Sequence, residues 1–208
     1  MPLIVVDHPL VQHKVGLLRN ISTSTQKFRQ VSREITTFLT YEATRGFPLE
    51  DAVVDGWAGR TAVKQILGKK VAVVPILRAG MGIVQGVLDL IPAARVNVLG
   101  IFRDEETLKP VVYFKKLSAD IASRMALILD PMLATGGSYL EAIRILRAAG
   151  CTDIRGLCLI AAPEGVALLG RHFPGVPIYT SALDDRLDEH GYILPGLGDA
   201  GDRLFGTK

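Results

Sequence analysis

Cysteine is scarce in these 208 residues: Cys151 and Cys158 are the only two, and neither sits at metal-binding or redox spacing. A disulfide framework is therefore not expected, and both are read as free, buried or half-buried thiols. No apolar run reaches the length of a membrane span. The opening segment MPLIVVDHPL has no basic stretch followed by an apolar one, so no secretion signal is expected and a reducing cytoplasm is the expected location. Charge of one sign is also missing: 24 Lys and Arg stand against 21 Asp and Glu, a formal net charge of +3. The basic residues are scattered, and the pairs Lys69-Lys70 and Lys115-Lys116 read as solvated edges. A nucleic-acid or membrane partner is not expected, although the sign suits anionic ligands. His8, His13, His172 and His190 lack ligand spacing, so no protein-held metal is assigned. Internal repeats, low-complexity tracts and long linkers are absent.

What is present is the balance of an ordinary globular chain, 49% hydrophobic and 22% charged, long enough for a single domain over residues 1–208 with a real core. Residues 9–40 carry apolar positions at helical spacing. Gly16 and the Ser/Thr cluster at 22–25 divide them into two helices. A turn-rich, charged segment follows from Arg45 to Gly68; within it Trp57, in DGWAG, reads as a packing or interface anchor. Short β-branched runs then alternate with helical stretches. VAVVPI (71–76), VNVLGIF (96–102), VVYFKKL (111–117), MALILD (125–130), IRGLCLIAA (154–162) and VPIYTS (176–181) read as strands. Residues 81–91, 138–149 and 163–173 read as helices. This alternation predicts an α/β fold with a mostly parallel central sheet flanked by helices. Ligands of such sheets bind beyond the carboxyl ends of the strands, so chemistry is sought there.

The segment after the fourth of these strands is LILDPMLATGGS (127–138). Asp130 closes an apolar strand, and Ala134-Thr135-Gly136-Gly137-Ser138 is small and glycine-rich, so peptide N–H groups can approach an anion. A helix starts directly behind, with Ser138 and Glu141 at capping-box spacing. Orphan N–H groups and the helix dipole then point at the loop. There is no Lys in the loop, which separates it from Walker-type nucleotide loops, and the glycines do not have the dinucleotide spacing. Three more segments draw attention. VVPILRAG (73–80) ends a buried strand with Arg78 and a small-residue turn. IFRDEETLKPVVYFKKL (101–117) is a charged excursion in which Asp104, Glu105 and Glu106 read as surface charges. HGYILPGLGDAGDRLFGTK (190–208) is glycine-rich but keeps apolar anchors, which argues for an ordered loop.

Together these segments resemble the type I phosphoribosyltransferases, and DPMLATGGS with YILPGLGDAGDR resembles their uracil phosphoribosyltransferase branch. The resemblance covers nearly the whole chain from DHPLVQHK (7–14). It implies the type I fold, with a flexible β-excursion and a C-terminal hood to which helices 9–40 and segment 182–208 contribute. It implies the reaction of uracil with 5-phospho-α-D-ribose 1-diphosphate (PRPP) to give UMP and diphosphate, a pyrimidine-salvage step assisted by Mg²⁺ carried on the diphosphate. By resemblance, Asp130 holds the ribose hydroxyls, and Pro131, Met132, Leu133, Ala134, Thr135, Gly136, Gly137 and Ser138 cradle the 5-phosphate. Arg78, behind a cis peptide between Leu77 and Arg78, binds the diphosphate, joined by Arg103 when the excursion closes. Main-chain groups at Ile193, Gly198, Asp199 and Ala200 read uracil. Asp199 has no evident structural partner and is expected near the base nitrogen or the ribose, so Asp199, Arg103 and Asp130 are the expected catalytic set. Most type I members begin the loop with two adjacent acids; here Leu129-Asp130 supplies one. The resemblance further implies a homodimer or higher homo-oligomer and admits a GTP effector, with no residue to place it. Two alternatives stay open: a phosphoribosyltransferase for another nucleobase, which in purine sites usually stacks an aromatic on the ring, and a non-catalytic RNA-binding regulator of the same fold.

Overall fold

A computed structural model of the chain describes residues 1–66, 71–103 and 110–207, the side chain of Arg103 excepted. The N-terminal part contains β1 (Leu3–Val5), α1 (Pro9–Arg19), α2 (Thr25–Ala43), β2 (Leu49–Gly56) and β3 (Gly59–Ile66). Then come β4 (Val71–Leu77), a 3-10 turn (Ala79–Ile83) leading into α3 (Val84–Leu88), β5 (Arg95–Val96), β6 (Val98–Arg103) and β7 (Pro110–Lys116). The C-terminal half holds β8 (Met125–Leu129), β9 (Met132–Leu133), α4 (Gly137–Ala148), β10 (Ile154–Ala161) and α5 (Pro163–His172). It ends with β11 (Ile178–Leu183), β12 (Arg186–Leu187), β13 (Ile193–Leu194) and α6 (Ala200–Phe205).

Strands β4 and β8, VAVVPIL and MALIL, are buried along their whole length except for Leu77. Continuous apolar runs of this kind belong in a parallel sheet covered on both faces. The sheet has the order β1-β11-β10-β8-β4-β6-β7; β5 also pairs with β4 and β9 with β10. All its pairings are parallel except β6 with β7. Alternate residues serve opposite cores. Val71, Val73, Leu127 and Leu129 pack with Phe28, Val31, Ile35 and Leu39 of α2. Ala72, Val74, Ala126 and Ile128 pack with Leu140, Ile143 and Leu146 of α4. Burying one Leu or Ile fully contributes about 1.5–3 kcal/mol, so these two layers fix how the strand ends are presented.

The sequence runs outward from β4 to β6 and β7, then returns to β8 on the other side of β4 and runs outward again through β10 to β11. The strand order therefore reverses between β4 and β8. That reversal opens a crevice at their carboxyl ends, and the turns after them, at Arg78 and Asp130, flank it.

Three expectations need correction. The turn-rich segment is a hairpin: β2 and β3 pair antiparallel over eight residues each. Nearly all its side chains are exposed on both faces, so it carries no burial period to read. Trp57, at its tip, is fully exposed and packs on nothing among the described residues, so it is not a packing anchor there. The VNVLGIF run divides at buried Asn97 because β5 pairs with Ala72 and Val73 whereas β6 pairs with Ile76 and Leu77. Helix α4 starts at Gly137 with Gly136 in the capping position at φ +84°, and no side chain caps it. Ser138 is already inside the helix, so the capping box with Glu141 does not form. Strand β1 at the sheet edge carried no sequence expectation. Both cysteines are free and buried, as expected. Among the described residues no helix is long and apolar enough to cross a membrane.

Candidate active site

The turn after β4 and the turn after β8 are pressed together. A side chain at Gly80 would collide with the Leu129 carbonyl and would lie 3.2 Å from Pro75, so only glycine allows this approach. The Leu77–Arg78 peptide is cis. Arg78 leans toward α6: its Nη2 lies 3.3 Å from Asp202 Oδ1 and 3.4 Å from Thr207 Oγ1. Its guanidinium also stands 5.3 Å from the Phe205 ring centroid. A guanidinium held this loosely on an exposed ion pair can turn to a diphosphate at little cost.

Asp130 stands at the end of β8. Its Oδ1 accepts the Met132 N–H at 3.3 Å, and burial pushes its carboxyl up to about 7. Beneath it, the buried hydroxyl of Tyr139 donates to the Leu157 carbonyl at 2.6 Å and lies 3.2 Å from the Asp130 carbonyl. From Asp130 the chain makes the short strand β9, turns through Ala134-Thr135 and enters α4 at the left-handed Gly136. The uncapped first turn of α4 leaves peptide N–H groups for an anion.

The third wall is C-terminal. Strands β12 and β13 pair, the Leu194–Pro195 peptide is cis, and the chain then passes Gly198 to Asp199 at the start of α6. Arg78, Ala79, Asp130, Met132, Ala134, Gly191, Tyr192 and Gly198–Gly201 line one cleft of about 340 Å³. Segments far apart in sequence thus meet around a space the size of a small polar metabolite. A hollow of about 400 Å³ lies elsewhere, near the amino ends of β4 and β8, lined by Phe47, Val71, Met125 and Arg155. The glycine-rich turns that suit the chemistry are at the first cleft.

A family model described as uracil phosphoribosyltransferase matches residues 5–207. The chain belongs to the uracil phosphoribosyltransferase family. The AQ2163 protein from Aquifex aeolicus is 38% identical, with a TM-score of 0.94 and 99% of each chain covered. A purine phosphoribosyltransferase from Pyrococcus horikoshii shares the fold at 16% identity and TM-score 0.50, over 76% of this chain and 90% of that one. A hypoxanthine phosphoribosyltransferase from Trypanosoma cruzi, solved with IMP, does so at 12% identity and TM-score 0.51, over 79% and 76%. The type I fold is therefore present, and the chain is a phosphoribosyltransferase, an enzyme that transfers a pentosyl group.

Of the residues singled out in the sequence, the structure brings Arg78, Asp130, Met132, Ala134, Gly198, Asp199 and Ala200 to the cleft. Thr135, Gly136, Gly137 and Ser138 continue from it into α4. Pro131 and Leu133 are buried, so their side chains face the interior and only their peptides can serve a ligand. Ile193 is likewise a core residue. The side chain of Arg103 and residues 104–109 lie outside the described residues. Asp199 is not without a structural partner: its Oδ1 accepts the Asp202 N–H at 2.8 Å and caps α6. Two residues were not expected at the site: Tyr139, and Tyr192, which the sequence offers only as an apolar anchor of the C-terminal segment. Tyr139 looked like one more residue of α4, yet it pins the turn at Asp130. Tyr192 lines the cleft, and its signal was an aromatic ring inside a glycine-rich segment.

Proposed function

We propose that this phosphoribosyltransferase joins uracil to PRPP, releasing diphosphate and forming UMP, as a pyrimidine-salvage step. One observation carries the reading: the turn at Arg78, the Asp130 loop and the segment 198–201 line a single cleft. The 5-phosphate sits on the peptide N–H groups of 134–138 at the start of α4, with the ribose hydroxyls at Asp130. Arg78 swings from Asp202 to the diphosphate, where its fork donates two parallel hydrogen bonds.

N1 of uracil attacks the anomeric carbon as the bond from that carbon to the diphosphate oxygen breaks, and the electron pair leaves with the diphosphate. Positive charge shared between the anomeric carbon and the ring oxygen is stabilised by carboxylates nearby, as in glycoside cleavage. Asp199 is the carboxylate at the base end of the cleft, placed to receive the N1 proton or steady that charge. Uracil presents two carbonyl acceptors flanking an N–H donor, which peptide groups of 198–200 can match. Cytosine would leave buried peptide groups unpaired, at about 1–3 kcal/mol each.

Among the described residues no three metal-ligating side chains cluster. Mg²⁺ would enter as an ion carried on the diphosphate and would neutralise the leaving group, and Asp130 and Asp199 are the carboxylates lining the cleft that could face it. The exposed hairpin β2–β3, with Leu49, Val53 and Trp57 uncovered, suits burial against a second copy, in keeping with a homodimer. A second base remains in play because Tyr192 offers a ring on which a purine could stack. Radiolabelled uracil, cytosine, hypoxanthine and adenine, each supplied with PRPP and Mg²⁺, separate the readings. Conversion of uracil alone is expected; folded protein that converts none of them, or prefers a purine, overturns the proposal.

A further inference from the structure

Next to the hood lies a half-buried ion pair, neither of whose residues lines the cleft. Asp184 follows β11 and is 5% exposed. Its partner is Arg19, the last residue of α1. Arg19 Nη2 donates to Asp184 Oδ1 at 2.5 Å and Nη1 donates to Oδ2 at 2.9 Å, a two-pronged pair. Both groups also hold one residue of the hood. The Gly196 N–H donates to Asp184 Oδ2 at 2.9 Å, and the Gly196 carbonyl accepts from Arg19 Nη1 at 3.0 Å. The ion pair thus takes both peptide groups of Gly196, a glycine at φ +66° where a side chain would strike the Ile193 carbonyl. Next to it, the Asp185 N–H donates to the Leu194 carbonyl at 2.9 Å.

A second arginine braces the far end of the same segment. Arg203 of α6 donates to the carbonyls of Leu197 at 2.8 Å, Leu18 at 2.5 Å and Asn20 at 2.8 Å, and its guanidinium lies 4.2 Å from the Phe28 ring centroid. The end of α1 therefore grips the chain on both sides of Gly198, Asp199 and Ala200, three of the cleft-lining residues. Even a fully buried ion pair is weak support for stability compared with apolar packing of the same volume, and here the Arg19 side chain stays 28% exposed. The pair's geometric strictness is what apolar packing cannot supply: one fork, one carboxylate and one peptide admit a single arrangement.

We propose that Arg19 and Asp184 are positioning residues for the nucleobase, fixing Gly196 so that the peptide groups of 198–200 stand in one register against it. This rests on the reading of the cleft as a base site. The two residues act on base affinity and base choice, and leave PRPP binding, which draws on Arg78 and the 130–138 loop, unchanged.

The test uses the full chain and three variants: Arg19→Met, which removes the charge; Arg19→Lys, which keeps the charge without the fork; and Asp184→Asn, which keeps the shape without the charge. Circular dichroism and thermal melting establish that each is folded at the assay temperature. Steady-state kinetics then vary base and PRPP separately. The expected result is a KM for the base raised by about tenfold or more in Arg19→Met and Asp184→Asn, a KM for PRPP within about twofold of wild type, and partial recovery in Arg19→Lys. Discrimination of uracil from cytosine should narrow in the same order. Unchanged base KM and discrimination, or both KM values rising together, overturn the inference, as does loss of folding in all three variants, which would make the pair merely structural. If the wild type turns over a base other than uracil, that base replaces uracil in the same comparison, and the uracil reading falls while the positioning role is still decided. A folded wild type without turnover on any base fails the cleft reading, and the inference with it.

Discussion

Helix α6 begins in the cleft at Asp199 and helix α4 begins just beyond cleft-lining Ala134, and they begin differently. Helix α4 opens on Gly136 with no side chain over its first peptide groups. Helix α6 opens on Asp199, whose carboxylate accepts the Asp202 N–H at 2.8 Å. The first leaves its N–H groups and its dipole to a ligand; the second spends one of its own on a side chain. An anion such as a phosphate belongs at the open start, whereas a neutral base suits the closed one, where the charge has already been answered. The difference also separates two kinds of encoding. The α4 start is written within twelve consecutive residues, and the α6 start is held in place by partners up to 185 positions away.

The largest expected effect tests whether Asp199 is more than a cap. Asparagine caps helices about as well as aspartate, so Asp199→Asn should melt within about 0.5 kcal/mol of wild type. If the carboxylate handles the N1 proton or the developing charge, kcat falls about 10²-fold. Stopped-time conversion of labelled base, together with a melting curve, reads both. Full turnover in a well-folded Asp199→Asn would reduce the residue to its cap and leave the two helix starts differing only in what closes them.

Next is Asp130, on the open side. Burial holds its carboxyl at about 7, against an ordinary value near 3.9 in the unfolded chain. The folded state therefore binds the proton more tightly, so the contribution of this group to stability is full below about pH 4 and is lost as the pH rises through 7. Asp130→Asn cannot ionise and escapes that loss. A shift of this size would be worth about 4 kcal/mol in full. The carboxyl opens on the cleft, where water screens part of the cost, so about 2 kcal/mol is expected. The variant should equal wild type near pH 4 and exceed it near pH 8 in urea melts. The same change removes the charge meant for the ribose hydroxyls, and KM for PRPP should rise by about ten- to a hundredfold at pH 8. In the wild type, KM for PRPP should fall between pH 6 and 8 as the carboxylate forms. A flat profile would separate Asp130 from the sugar.

Much of this contrast was legible in the sequence, and its limits have physical causes. The strands buried on both faces announced themselves as continuous apolar runs, and the strand-end turns at Arg78 and Asp130 followed from them. The glycine-rich loop after β8 needed no partner outside itself to be singled out. The hood needed many. Nothing near Asp184 in sequence hints at Arg19, which lies 165 positions away, and an arginine at the end of a helix reads as a dipole partner rather than a clamp. Tyr139 escaped notice because a tyrosine inside an amphipathic helix looks like core, and its hydroxyl matters only once β10 supplies the Leu157 carbonyl. The β2–β3 hairpin escaped because pairing without burial leaves no alternation. The capping box misled because Ser-x-x-Glu falls two residues too late: left-handed Gly136 takes the capping position first.

Gly136 itself gives the third test. An alanine there must hold φ +84° and place its Cβ 3.1 Å from the Gly165 carbonyl. Strain in the left-handed region costs about 1–2 kcal/mol, and relief by twisting the turn would tilt the first peptide groups of α4. Gly136→Ala is expected to lower the melting free energy by that amount and to raise KM for PRPP while leaving KM for the base alone. An effect on the base instead would mean that the two helix starts are not separate devices.

The smallest effect is the most pointed, because the two views of Ser138 disagree about where it should appear. Were Ser138 the cap of α4, removing its hydroxyl would cost about 1 kcal/mol of stability. Inside the helix, at the second residue of α4, it caps nothing and is half-buried beside the cleft loop. Ser138→Ala should therefore leave stability within about 0.5 kcal/mol, since alanine also has the better helix propensity. The loss should surface in substrate binding, as a KM for PRPP raised by roughly five- to tenfold, the worth of one hydroxyl donor on a charged oxygen. Glu141→Ala is the control: with no box to complete, it should alter neither quantity. If Ser138→Ala destabilises the fold and spares PRPP, the start of α4 is closed like that of α6, and an open helix start can no longer be what holds the phosphate.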